Sequence, residues 1–412
     1  MLLNYSVFIG SLSTYTSSML QQRQAVSEPR AVAVALTAFA ALAVAMGIGR
    51  FAFTPLLPMM QKDFGVSVAQ GGWLASANYF GYLVGAISAI ALPARHVRAI
   101  RAGLLVIGIS TLGMAFDHGF WWWLTLRALG GVASAWVLVL VSSWALERLS
   151  MLGRPQLGGA VYAGVGTGIV VTGVACLALT ALGAGSANAW LTLGFVALVA
   201  TALTWQAIEP TDGVQGASKS EQEKARWTSE YWRLVLCYGA FGFGYIIPAT
   251  FLPVMAKEVI SDPMIFGWAW PVFGAAAVAS TLLAARAATF LSHRSVWILA
   301  GLAMALGVVF PLGVPALGGI LVAALFVGGT FMVITMAGMQ EARRVAGAQA
   351  RPLMAAMTSS FALGQILGPL CVTYLVKASG GFGVALVLAS MLLALSALVL
   401  RAASGARGIA DG

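Results

Sequence analysis

The sequence predicts an all-α polytopic membrane protein, with twelve transmembrane helices in two parallel six-helix repeats. Three observations carry that expectation. First, 60% of the 412 residues are hydrophobic and only 9% are charged, with a mean hydropathy of +0.91, whereas soluble domains run at about half apolar and a quarter charged. Second, the apolar residues gather into segments near the roughly 20 residues that a membrane-spanning helix requires. Third, residues 47–63, GIGRFAFTPLLPMMQKD, return without a gap as residues 242–258, GFGYIIPATFLPVMAKE.

Taken in order, residues 1–30 lack the basic start and small-residue cleavage site of a signal peptide. They read as a cytoplasmic N-terminal tail, with Met19 as a competing initiator. Twelve apolar segments follow at about 32–60, 68–92, 99–116, 120–146, 157–181, 187–207, 231–256, 265–288, 296–313, 316–340, 353–377 and 382–402. The long polar interruption, residues 209–230, holds five of the 13 acids and reads as a cytoplasmic linker. It separates an N-terminal half, 31–208, from a C-terminal half, 231–403, and a short cytoplasmic tail closes the chain at 404–412.

The basic residues test this count, because cytoplasmic loops are enriched in Lys and Arg. With the N-terminus inside, eighteen fall on the cytoplasmic side and three, Lys62, Lys257 and Lys377, on the outer side. Arg50 and Arg127 remain within the membrane. A miscounted helix would have scrambled this alternation.

The repeat extends past its first helix. Gly72-Trp73 and Gly267-Trp268 keep the offset of 195 residues that relates Gly47 to Gly242. Arg154-Pro155 opens the fifth segment as Arg351-Pro352 opens the eleventh. Six crossings separate the copies, so both start on the same side and the halves are parallel repeats. Arg50 is answered in the second copy by Tyr245.

Composition also narrows the chemistry. Cys176, Cys237 and Cys371 stand singly in apolar segments and His96, His118 and His293 lie in or beside loops, so no metal site or disulfide framework is expected. The net charge of +10 reflects loop sidedness rather than nucleic-acid binding. A membrane enzyme is disfavoured, since neither an HExxH motif nor an acid cluster falls within a helix.

Twelve helices in two parallel halves, joined by a charged cytoplasmic loop, resemble the major facilitator superfamily of secondary transporters. The GxGRFxxTPLLPxM stretch looks like the first helix of its YbfB-type (YbfB/YjiJ-like) branch. The resemblance implies a central cavity lined by the first, fourth, seventh and tenth helices, with the third, sixth, ninth and twelfth facing lipid. Its loop motif after the second helix survives as Arg95 and Arg98, but Ala94 replaces the acid and Val97 a glycine. A gating role and a plain positive-inside anchor both stay open there. Arg127, Gly130 and Gly131 resemble the core of a fourth-helix motif connected with proton coupling; the alternative is that Arg127 satisfies helix carbonyls. The antiporter-type Gly-Pro of the fifth helix is missing and stands instead in the eleventh, as Gly368-Pro369.

Arg50 is the leading substrate-binding candidate. A charge at bilayer depth costs at least a few kcal/mol and needs water, a partner or a ligand. The residue lies about 15 Å before the outer end of its segment, with Pro55 and Pro58 following to weaken the helix. All 13 acids fall in tails, loops or segment ends, so an anion matched to the guanidinium fork is the natural guest. Secondary candidates are Thr54, Asn78, Tyr79, Tyr82, Arg127, Trp136, Tyr162, Tyr245, Trp270, Gln340 and Gln365. Tyr and Trp also serve as packing and interface anchors.

The expected function is secondary transport of a small organic anion by alternating access, without a cofactor. An exporter of hydrophobic or amphiphilic compounds is the alternative, and a transporter-like sensor or scaffold a minor one. Coupling to protons or to another solute stays open. The expected setting is a bacterial inner membrane, with the protein monomeric in the lipid bilayer and both termini cytoplasmic.

Overall fold

The structure is a computed structural model that describes residues 28–92, 96–209, 227–259, 267–314, 317–379 and 383–408. Arg95, most of the linker and the N-terminal tail up to residue 27 lie outside these. Among the described residues the chain forms twelve long helices. We number them α1 (Glu28–Phe64), α2 (Val68–Ala91), α3 (His96–Gly113), α4 (Phe120–Met151), α5 (Gly158–Ala181), α6 (Ser186–Thr204), α7 (Ser229–Val259), α8 (Ala269–Ala287), α9 (His293–Gly313), α10 (Leu317–Ala346), α11 (Ala350–Ser379) and α12 (Gly383–Gly408). Eleven are long and apolar enough to cross a membrane. The remaining one, α3, is 18 residues long and carries Arg98 and Arg101 in its first turns.

Local chemistry sets the boundaries. Gly65, at φ 66°, ends α1 in a left-handed conformation that a side chain would strain. Ser67 then caps α2 in a reciprocal box with Gln70, satisfying two amides that the first turn leaves free. Ser292 caps α9 in a similar way, accepting from the backbone N–H of Ser295. Short 3-10 turns, Pro155–Leu157 and Gly347–Gln349, precede α5 and α11 alike, so the duplication is visible in the connections as well as in the spans.

Packing follows the same symmetry. In the first half α1 lies on α5, α2 on α4, and α3 between α4 and α6; in the second, α7 lies on α11, α8 on α10, and α9 between α10 and α12. The halves meet through α2 against α11 and α5 against α8, two contacts that exchange when the halves are swapped. Glycine permits the second approach. A Cβ built on Gly166 or Gly274 would lie 2.8 Å from the other's carbonyl oxygen, so the helices cross backbone to backbone. Exposed apolar rows, such as Ile109 on α3, Phe195 and Leu203 on α6, Leu299 and Leu306 on α9 and Leu395 and Leu398 on α12, face outward as lipid-facing helices require.

The enclosed part of the bundle is off-centre. From Val137 to Leu146 on α4 and from Phe331 to Ala342 on α10, every side chain is buried. These stretches lie toward the basic side of the molecule, where Gln340 packs against Gly158 of the opposite half. That side is closed. An ion cluster stands near it: Arg294 on α9 pairs with Glu230 on α7 and, at 2.8 Å, with Glu341 on α10, while Arg344 and Arg233 take up the outer carboxylate oxygens.

Candidate functional site

The site begins with a break in α1. Residues Ala43–Ile48 form a π turn and the next four residues run as turns before the α-helix resumes at Phe53. The wider ring is closed by bonds from the N–H of Gly49 to the Val44 carbonyl and of Phe51 to the Met46 carbonyl, both 2.9 Å. The helix is thus weakened ahead of the prolines, around Arg50, and the irregularity extends back to Ala43. Pro55 occupies the first turn of the resumed helix, where a missing N–H has no cost, and Pro58 lies inside it.

Neighbouring helices supply donors to carbonyls along the break. Ser134 on α4 donates to Ala45 O at 2.8 Å, Thr172 on α5 to Gly47 O at 3.4 Å, and Arg127 on α4 to Gly49 O at 3.4 Å. Irregular backbone survives at membrane depth only when its polar groups are satisfied in this way. Gly47 itself admits the close approach of α5, since a Cβ there would run into the backbone of Gly168.

The break presents Arg50 to the centre, where it is only 3% exposed. Its guanidinium lies over the Tyr82 ring, 3.9 Å from the centroid, with the Tyr79 ring at 5.3 Å and Phe51 at 5.9 Å. Cation–π contact of this kind strengthens when water is excluded. Through Nη2, Arg50 donates to the side-chain oxygen of Gln365, which is 1% exposed on α11 in the other half. Its Nη1 is buried and has no hydrogen-bond partner.

Arg127 sits close by but is differently engaged. Besides Gly49 O it donates through Nε to Leu74 O at 3.4 Å, and its charge lies 4.5 Å from the centroid of Phe53. Its donors are thus directed at backbone carbonyls of α1 and α2. Asn78 completes the joint by donating to the carbonyl of Arg127 at 3.0 Å, while its own Oδ1 is left without a partner.

The other sequence candidates divide. Tyr245 is buried and stacks on Phe331 at 5.3 Å and 18°. Trp270 stacks on Phe273 at 5.4 Å and 2°, meets Phe51 edge-on at 6.3 Å, and keeps a buried indole N–H without an acceptor. Tyr162 is enclosed with its hydroxyl unpaired, and Gln340 has an unpaired side-chain oxygen. Trp136 donates to Ser88 at 2.8 Å, joining α4 to α2. Thr54 is exposed and stands outside the enclosed cluster, and Arg98 is exposed at the start of α3.

Sequence reasoning missed the ring beside Arg50, Phe51, and those of the second half, Phe273, Phe331 and Phe361. Phe273 could have been found, since it is the counterpart of Asn78 at the repeat offset of 195. Sequence reasoning also took Arg294 for a loop charge, whereas the structure buries it between two carboxylates.

The geometry agrees with what comparison with other proteins finds. A family model described as uncharacterised MFS-type transporter YbfB matches residues 42–401. A protein of Yersinia enterocolitica, named as the uncharacterized MFS-type transporter YE1530, is 30% identical over 125 residues, which make up 29% of this chain and 33% of that relative. The chain thus spans about a third of the length of the curated relative it matches. Since the family match runs through both halves, the chain belongs to the YbfB-type family of the major facilitator superfamily, and is a multi-pass membrane protein.

Proposed function

We propose that the protein moves a small organic anion across the membrane by alternating access, with Arg50 holding the negative charge. The observation that carries this reading is the buried, unpaired Nη1 of Arg50 beside a neutral rather than acidic partner, Gln365. A buried charge without a counter-ion is costly, and the buried acids among the described residues, Glu230 and Glu341, are taken up by Arg233, Arg294 and Arg344 instead. An incoming carboxylate supplies the missing charge and bidentate acceptors.

The remaining parts take roles around that centre. Arg127 acts as a positioning residue, holding the broken segment of α1 so that Arg50 stays directed inward. The halves 31–208 and 231–403 move as units about the α2–α11 and α5–α8 contacts, and the Arg50–Gln365 bond is made or broken as they do. By the positive-inside rule the closed, basic side faces the cytoplasm, with both termini there.

A second reading, export of amphiphilic compounds, draws on the aromatic rings around the site. Purified protein in liposomes separates the two. The anion reading expects saturable uptake of at least one radiolabelled carboxylate, lowered at least tenfold in Arg50→Gln while the variant stays monodisperse. Carboxylate transport that is unchanged in that variant sinks the role given to Arg50. Transport confined to neutral or cationic amphiphiles transfers support to export.

A further inference from the structure

We infer that the anion is an aromatic carboxylate, with its charge on Arg50 and its ring against the second half of the protein; this rests on the anion reading above. On the second half, Trp270, Phe273, Phe331 and Tyr245 form a continuous stack. The successive centroids are 5.4, 5.2 and 5.3 Å apart, with interplanar angles of 2°, 26° and 18°. Such offset, near-parallel pairs are favourable beyond the apolar area they bury.

The first half meets this stack through a ring adjacent to the charge. Phe51 touches Trp270 at 6.3 Å and Phe331 at 6.0 Å, both edge-on, and its own centroid is 5.9 Å from the Arg50 guanidinium carbon. Phe51 lies in the turn segment of broken α1 rather than in a regular helix, with its N–H bonded to the Met46 carbonyl across the wider turn. When the halves part, the contact that opens is ring against ring. A planar ring entering there lies between Phe51 and the stack, while a carboxylate on that ring, or one carbon from it, reaches the unpaired Nη1 of Arg50.

The same features exclude close relatives of such a ligand. An aromatic cation would meet Arg50 and Arg127 with no acid between them, and a neutral arene would leave the buried N–H unpaired. A saturated ring of the same size and charge fills the slot but forgoes the stacking.

Equilibrium binding to the detergent-purified full chain, read by tryptophan fluorescence and repeated by uptake into liposomes, tests this with benzoate, phenylacetate, cyclohexanecarboxylate and butyrate. Benzoate or phenylacetate should bind about three- to tenfold more tightly than cyclohexanecarboxylate. Phe331→Leu, or Trp270→Leu should that variant fold poorly, should bring the ratio of benzoate to cyclohexanecarboxylate affinity down to about one. Arg50→Gln should weaken all four. Equal binding of benzoate and cyclohexanecarboxylate by the wild type, or a preference that survives both leucine variants, overturns the aromatic assignment and leaves the anion reading standing. Binding of none of the four, or binding indifferent to Arg50→Gln, overturns both.

Discussion

Arg50 and Gln365 lie 315 positions apart in the chain and on opposite halves of the bundle, yet their side chains are joined by a hydrogen bond in an interior with almost no exposure. Among the described residues it is a rare polar link across the interface between the halves, which is otherwise made by packing. An anion that occupies Arg50 competes with Gln365 for the guanidinium, so ligand entry and the loosening of this link are one event. Gln365→Glu builds the competitor into the protein. It should raise the thermal midpoint of the ligand-free protein and weaken carboxylate binding at least tenfold, since a hydrogen bond to a charged group is worth about 1.5–3 kcal/mol. Calorimetry with and without carboxylate reads both effects.

The contacts of Arg127 lead to a different expectation. Replacing it with Met removes its bonds to the carbonyls of Leu74 and Gly49, at a cost of about 1–3 kcal/mol. Stability measured in detergent should fall accordingly. In the fraction that folds, the preference for anions over neutral compounds should persist; loss of that preference with stability intact would falsify the positioning role and make Arg127 a ligand.

The cluster near the basic side should behave as a unit. Glu341 is fully buried and accepts from both Arg294 and Arg344. Glu341→Gln leaves Arg294 with one carboxylate partner in place of two, and should destabilise the second half by about 3–5 kcal/mol. The pair change Arg294→Met with Glu341→Leu should recover most of that loss, because an apolar pair of similar volume carries no desolvation penalty. Thermal unfolding of the three variants gives the comparison.

Orientation has its own test. Leu182, after α5, and Met151, at the end of α4, are both well exposed on opposite sides of the bundle. In intact cells carrying Cys371→Ala, an impermeant maleimide should label Leu182→Cys and spare Met151→Cys until the membrane is opened. The reverse pattern would invert the topology.

How much of this was legible before the fold was known differs from element to element. The twelve helices and their duplication could be read because lipid imposes a length on each span and because the copy at 242–258 aligns without a gap. Arg50 could be read because a lone charge in an apolar run demands a reason. Its partner could not, since Gln365 was one amide among several and nothing in sequence brings α11 to α1. Phenylalanine carries little such signal: with 20 in the chain, Phe273 stands out only as the repeat counterpart of Asn78, and Phe331 becomes visible only when the helices converge. The weakening of α1 was expected beside Arg50, in the turn before the prolines, but its π turn was not legible; Ser134, Thr172 and Arg127 supply donors to that stretch.

That wider turn bears on how a duplicated gene came to make unlike halves. The two copies align without a gap, so the π turn of one and the α-helix of the other differ in hydrogen-bond register and not by an inserted residue. Its twin α7 winds through the equivalent residues as uninterrupted α-helix. Each π turn takes up one residue more than an α turn, so side chains beyond it point in another direction from their counterparts in the twin. Two ancestral frames of one size could thereby offer a cation from one wall and an arene from the other, with no change in the count of amino acids between them.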